Sequence, residues 1–166
     1  MGRRKFSELL KDKKDLVGAE IGVFRGEHAK QLLDNLDIRK LYLVDPYEIY
    51  DEYVASGEIL KGLREAEKEA VEKLDKKKVK WFFLRSVDAA KRVKDDSLDF
   101  VYIDGNHAEE FVKQDIEFWS KKVKKGGLVG GHDYDDRHGV IPAVVDFACE
   151  NGVYIQTAGI EWWYWK

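Results

Sequence analysis

The chain has 166 residues, 37% of them charged and 13% aromatic, with 29 Lys and Arg against 32 Asp and Glu. That length supports a self-contained domain, and a formal net charge of −3 gives no electrostatic reason to expect a nucleic-acid partner. A single cysteine, Cys149, excludes an intramolecular disulfide; it lies in an apolar helical pattern and is expected in the core.

In chain order, Phe6, Leu9 and Leu10 predict one short helix within an N-terminal extension, residues 1–15. The opening MGRRKFSELLKDKKD lacks the apolar centre of a signal peptide, and no later apolar stretch reaches membrane-spanning length. A cytoplasmic protein with no membrane partner is therefore expected. Residues 16–22 read as the first strand, followed by a helix with Ala29, Leu32, Leu33 and Leu36 at helical spacing. Residues 40–44 form a second strand. Residues 46–77 hold a tyrosine-rich link, PYEIYDEYVASGEI, and then a helix marked by Leu63, Ala66, Ala70 and Leu74. Strands follow at 78–85 and 98–104. Val112, Ile116, Trp119 and Val123 predict a helix closed by Gly126 and Gly127, then a strand at 127–133. Val140, Val144, Phe147 and Ala148 mark the last helix, with Pro142 tolerated in its first turn. The terminal VYIQTAGIEWWYWK reads as a hairpin turning at Ala158-Gly159. The lysine runs at 76–78 and 121–125 suit helix C-termini and turns.

Short strands that are mostly apolar rather than alternating are those of a parallel sheet covered on both faces. Strand-helix units ending in a hairpin make an open α/β sheet with an antiparallel end. No linker or repeat divides the chain, so a single domain spanning 1–166 is expected.

Chemistry concentrates at strand ends. In VGAEIGVFRG, Glu20, Gly22 and Gly26 stand in the spacing E-x-G-x-x-x-G at a strand-to-helix junction. Glycines there let a ligand approach the backbone, and a carboxylate attracts a cation. Asp45 ends the next strand, where an acid accepts bonds from ribose hydroxyls. The plainer alternative makes these turn residues. A dinucleotide site would want G-x-G-x-x-G, whose first glycine is missing here.

With Asp45 in LYLVDPY and Asp104 in LDFVYIDGNH, the pattern resembles class I S-adenosylmethionine-dependent methyltransferases over residues 15 to 166. The segment DFVYIDGNHAEEFVKQDIEFWSKKVKKGGLVGGHDY is similar to the small-molecule O-methyltransferase branch that includes macrocin and catechol O-methyltransferase-like enzymes. The resemblance implies a Rossmann-like, open, mostly parallel seven-stranded α/β sheet with helices on both faces and a C-terminal antiparallel hairpin. It implies S-adenosylmethionine as cofactor, with Glu20, Gly22 and Gly26 along its methionine part and Asp45 on the ribose. Arg85, Ser86 and Val87 would border the adenine, and Asp104 would face the methyl group and the substrate.

Asp104 and the pair His132-Asp133 end neighbouring strands, so two carboxylates and an imidazole converge as a candidate site for magnesium, manganese or another divalent metal. The alternative is local hydrogen bonding in a glycine-rich turn. His107, three residues beyond Asp104, is a candidate general base. His138 is a weaker one, and Asp135 and Asp136 read as solvated. The chain has DGNH where methyltransferases acting on nucleobases often carry D/N-P-P-Y/F, which favours a small-molecule oxygen acceptor. Tyr47, Tyr50 and Tyr53 in the link either cover the cleft as a lid or pack on a helix face. The run Trp162 to Trp165 reads as an interior strand, with part of it left for a homodimer contact. Two other functions fit the same residues: a nucleotide-binding oxidoreductase, and a noncatalytic S-adenosylmethionine-binding module.

Overall fold

The computed structural model describes residues 5–48, 57–74, 77–136 and 139–166. Along them run α1 (Lys5–Glu8), β1 (Leu16–Ile21), α2 (Glu27–Asn35), β2 (Ile38–Val44), α3 (Gly57–Lys73) and β3 (Val79–Phe82). Then come α4 (Ser86–Ala90), β4 (Leu98–Ile103), α5 (Glu109–Ser120), β5 (Val123–Gly131), α6 (Val140–Asn151), β6 (Gln156–Ala158) and β7 (Glu161–Trp165). The strands form one seven-stranded sheet in the order β3-β2-β1-β4-β5-β7-β6. The first five strands in the chain are mutually parallel, and β7 enters antiparallel between β5 and β6. No helix among the described residues is long and apolar enough to cross a membrane.

Strand side chains alternate between two cores, one on each face of the sheet. Ala19, Ile21, Val101, Ile103 and Tyr164 meet Val112, Ile116 and Trp119 of α5 and Ala143 and Val144 of α6. On the opposite face Leu41, Leu43, Phe100, Tyr102 and Trp163 meet Phe6, Leu32 of α2 and Ala70 of α3. Burying each large apolar side chain contributes roughly 1.5–3 kcal/mol. The sheet is thus a rigid platform whose strand ends are set by register.

Several sequence expectations shift. Val123 starts β5 instead of ending α5, because the chain leaves the helix at Lys121. Its spacing from Trp119 mimics one more helical turn. Gly126 and Gly127 lie inside β5, where the register against β4 jumps from Leu98↔Val123 to Phe100↔Leu128. β3 ends at Phe82, and α4, with five residues, is too short to show a helical stripe in the sequence. The hairpin turns at Gly159-Ile160, between β6 and β7. Cys149 is exposed, on the outer side of α6 rather than in the core. Residues 49–56, with Tyr50 and Tyr53, and residues 137–138, with His138, lie outside the described residues.

Candidate active site

From β1 the chain moves outward to β2 and β3, then returns to place β4 on the other side of β1. The strand order reverses there, and a crevice opens beyond the carboxyl ends of β1 and β4. The structure has a cleft of about 540 Å³ at this point. Its walls include Gly22 and Phe24 after β1, Asp45 and Glu48 after β2, and Arg85, Ser86 and Val87 at the start of α4. Asp104, Asn106 and His107 close it after β4, with Phe111 and Asp115 of α5 behind them. The volume lies within the range of small-molecule and cofactor sites.

The two glycines of the first turn have different reasons. Gly22 has φ 84°, and a Cβ there would stand 2.1 Å from the Asp104 carbonyl oxygen. Its bareness lets the turns after β1 and β4 touch. Gly26 caps α2 at φ 73°, and a Cβ there would press on Ala70 of α3 and on Leu74 just after it at 3.2–3.3 Å. It packs helices together and does not line the cleft. Glu20 is not on the wall either. It is 1% exposed on the opposite face of the sheet, its Oε1 3.4 Å from His28 Nδ1. Its neighbour there is an internal imidazole. Nearby, the Tyr102 hydroxyl donates to Glu161 Oε1 at 3.0 Å.

Asp45 holds the turn. Its Oδ2 accepts from the Val23 and Phe24 amides, both at 2.9 Å, and its Oδ1 from the Tyr47 amide at 2.8 Å. An ionised carboxylate has about four acceptor positions. Three are used by the described residues, leaving room for a ligand hydroxyl on the same group. The Tyr47 hydroxyl donates to the Phe24 carbonyl at 2.7 Å, and burial, with the charge of Asp45, pushes its pKa far above the usual range. It therefore stays a donor and locks the turn; it is not a wet tip over the cleft.

At the mouth, Asp104, His107 and Asp133 bring ligand atoms within 4.8 Å of one another. His107 Nε2 is 2.8 Å from Asp133 Oδ2 and 3.9 Å from Asp104 Oδ1. His132 Nδ1 lies 3.3 Å from Asp133 Oδ1 and 3.8 Å from Asp104 Oδ1. The hydrogen bond with Asp104, and then the charge of Asp133, hold the His107 pKa above its ordinary value against the effect of burial. The sequence treated His107 as a base apart from the Asp104, His132 and Asp133 set. In the structure His107, not His132, completes the group with Asp104 and Asp133, while His132 lies beside Asp104 and Asp133; Asp104 and His107 are on the cleft wall. Asp135 is half-buried and Asp136 exposed.

Three further wall residues were not picked out in the sequence. Asn106 Oδ1 accepts from the Ala108 amide at 2.8 Å and shapes the entry to α5, while its Nδ2 is buried without a hydrogen-bond partner among the described residues. A buried donor left open beside a cleft suits a ligand acceptor. Phe111 supplies an apolar surface. Asp115 carried a readable signal: an acid between Val112 and Ile116, on the helical stripe that faces the sheet.

Residues 19–134 match the family model described as Methyltransferase domain. A curated relative, the uncharacterized protein R132 of Acanthamoeba polyphaga mimivirus, is 25% identical over 138 residues, covering 80% of this chain and 59% of its own length. This chain therefore spans less than two thirds of that relative. Among solved structures, a methyltransferase candidate from Streptococcus mutans in complex with SAH superposes with TM-score 0.65 at 14% identity, covering 100% of this chain and 99% of that one. The O-methyltransferase NovP gives 0.65 at 16% identity, over 98% of this chain and 76% of its own. Family match, strand order and cleft agree: the chain belongs to the methyltransferase-domain family.

Proposed function

We propose that the chain transfers the methyl group of S-adenosylmethionine to a hydroxyl oxygen of a small-molecule acceptor. The observation that carries this is the cluster of Asp104, His107 and Asp133 at the mouth of the switch-point cleft. Asp45 would use its remaining acceptor position for the ribose, and Arg85, Ser86 and Val87 would border the adenine. Gly22 would lie along the methionine part, with Glu20 and Gly26 shaping the turn from behind. The cofactor supplies an electrophilic methyl carbon on a sulfonium. When bound, it would donate that methyl to the acceptor oxygen, with the carbon–sulfur electron pair left on sulfur. His107 Nε2 lies 2.8 Å from Asp133 Oδ2, so with no metal bound Asp104 would be the group on the wall that takes the acceptor's proton. The protein's main contribution would be alignment of donor and acceptor within the cleft.

The same donors fit a divalent cation. Asp104, His107 and Asp133 would hold it, with His132 beside them, and the mix of nitrogen and oxygen favours manganese, iron or zinc over magnesium. Such an ion would act as a Lewis acid on the acceptor hydroxyl. The test is transfer of labelled methyl from S-adenosylmethionine to a panel of catechols and sugars, with and without chelator. The expected result is a labelled ether, lost in chelator and restored by one divalent ion. Transfer to amines but to no hydroxyl would contradict the oxygen assignment. Full turnover in chelator would remove the metal and leave methyl transfer standing. NovP, described as an O-methyltransferase, supports the oxygen acceptor.

A further inference from the structure

Asp115 is 5% exposed on the face of α5 that packs on the sheet, yet it lines the cleft. Its hydrogen-bond partner is the Ser86 hydroxyl. That hydroxyl already accepts from Trp119 Nε1 at 2.8 Å, so its own hydrogen is the one left for Asp115. The chain of bonds runs from indole N–H to hydroxyl to carboxyl, on a residue that lines the cavity. Other charged groups on these walls are Arg85 at the N-cap of α4 and Asp88 within it, Asp45 and Glu48 after β2, and Asp104 and His107 after β4. α6, packed on α5, brings Asp146, which Lys113 holds at the surface at 2.7 Å. None of these is among the causes acting on Asp115: burial pushes its pKa up to about 7, and the Ser86 bond only partly offsets this.

A carboxyl this buried without a cation is costly when charged, and on a ligand wall it is most useful neutral. We propose that Asp115, as a neutral carboxylic acid, reads the amino edge of the cofactor's adenine. Its carbonyl oxygen accepts from Ser86 and from the exocyclic amine, and its O–H donates to the adjacent ring nitrogen. Ionisation removes the donor and sets a negative oxygen against a ring lone pair. This rests on the reading that the adenine lies at the α4 side of the cleft. It adds a selectivity residue, contributed by α5, to a purely bordering role for residues 85–87.

The test is calorimetric titration with S-adenosylhomocysteine and its inosine counterpart at pH 6 and pH 8, on wild type, Asp115→Asn and Asp115→Leu. An amide offers the same donor and acceptor at every pH. Wild-type affinity for S-adenosylhomocysteine should fall about tenfold from pH 6 to pH 8, since a folded pKa near 7 leaves roughly a tenth of the acid form at the higher pH. Asp115→Asn should lose most of that fall. At pH 6 wild type should prefer the adenosyl over the inosyl ligand by about tenfold or more, and Asp115→Leu should erase the preference. His107 titrates in all three proteins, so the difference between them isolates Asp115. A pH fall shared equally by wild type and Asp115→Asn would overturn the proposal even if Asp115→Leu fails to fold. So would a preference retained in Asp115→Leu. If wild type does not bind S-adenosylhomocysteine at all, the cofactor reading fails with it, and that outcome is distinct from the other two.

Discussion

At φ 84°, with the Asp104 carbonyl where a methyl would go, Gly22 joins the two strand ends that form the cleft. Gly22→Ala adds both strain and a clash, so a loss of about 1–3 kcal/mol is expected, with weaker S-adenosylhomocysteine binding. Chemical denaturation and calorimetry measure the two; an unchanged midpoint would mean the turns can separate freely. Asp115 gives a second prediction at this scale. Its folded pKa is raised to about 7 from an ordinary 3.8. Between those values the native state keeps a proton that the unfolded chain has lost, so stability falls as pH rises through the window and levels off above it. The Tm of wild type should therefore drop relative to Asp115→Asn from pH 4 to pH 7. Parallel curves would place the carboxyl in a more polar setting. The sequence located Asp45 and Asp104 at strand ends because both directly follow apolar runs. The burial of Glu20 beside His28 was not legible, because one residue's shift along a strand changes the face and His28 is a neighbour that only the fold supplies.

Elements position these residues through a few ties. Asp45 binds the amides of residues 23 and 24, and the Tyr47 hydroxyl returns a bond to the Phe24 carbonyl. The β1–α2 and β2 turns thus form one unit. On its outer side Lys73 of α3 donates to the Arg25 carbonyl at 2.9 Å and pairs with Glu27 at 2.6 Å. Tyr47→Phe removes one buried bond while keeping the ring against Trp81 and Phe83, so a loss of about 1 kcal/mol is expected. Faster amide exchange at 23–26 by mass spectrometry would show it; unchanged exchange would mean Asp45 suffices alone. The strands and long helices were legible because apolar spacing reflects burial directly. The end of α5 was not, since Val123 keeps helical phase with Trp119 after the chain has turned into β5. The five-residue α4 left no period to detect, although it presents Ser86 to Asp115.

Across the molecule, strand order turns separate signals into one site. Residues 20–26, 45, 85–87 and 104–107 are far apart in the chain, and the return of β4 beside β1 gathers their strand ends around one cleft. β5, next to β4, adds His132 and Asp133 just past its end. The apolar WWYW run becomes the inner strand β7, with Trp162 and Trp163 nearly fully buried on opposite faces, and this seals the sheet beyond β5. The central claim is that this cleft takes S-adenosylmethionine with Asp45 at its ribose. Isothermal titration of wild type and Asp45→Ala with S-adenosylhomocysteine and with NAD tests it most directly. The account predicts one S-adenosylhomocysteine bound per wild-type chain, no NAD binding, and at least about tenfold weaker binding in Asp45→Ala, from the loss of charge-assisted hydrogen bonds. Tight NAD binding without S-adenosylhomocysteine, or unchanged affinity in Asp45→Ala, would contradict it.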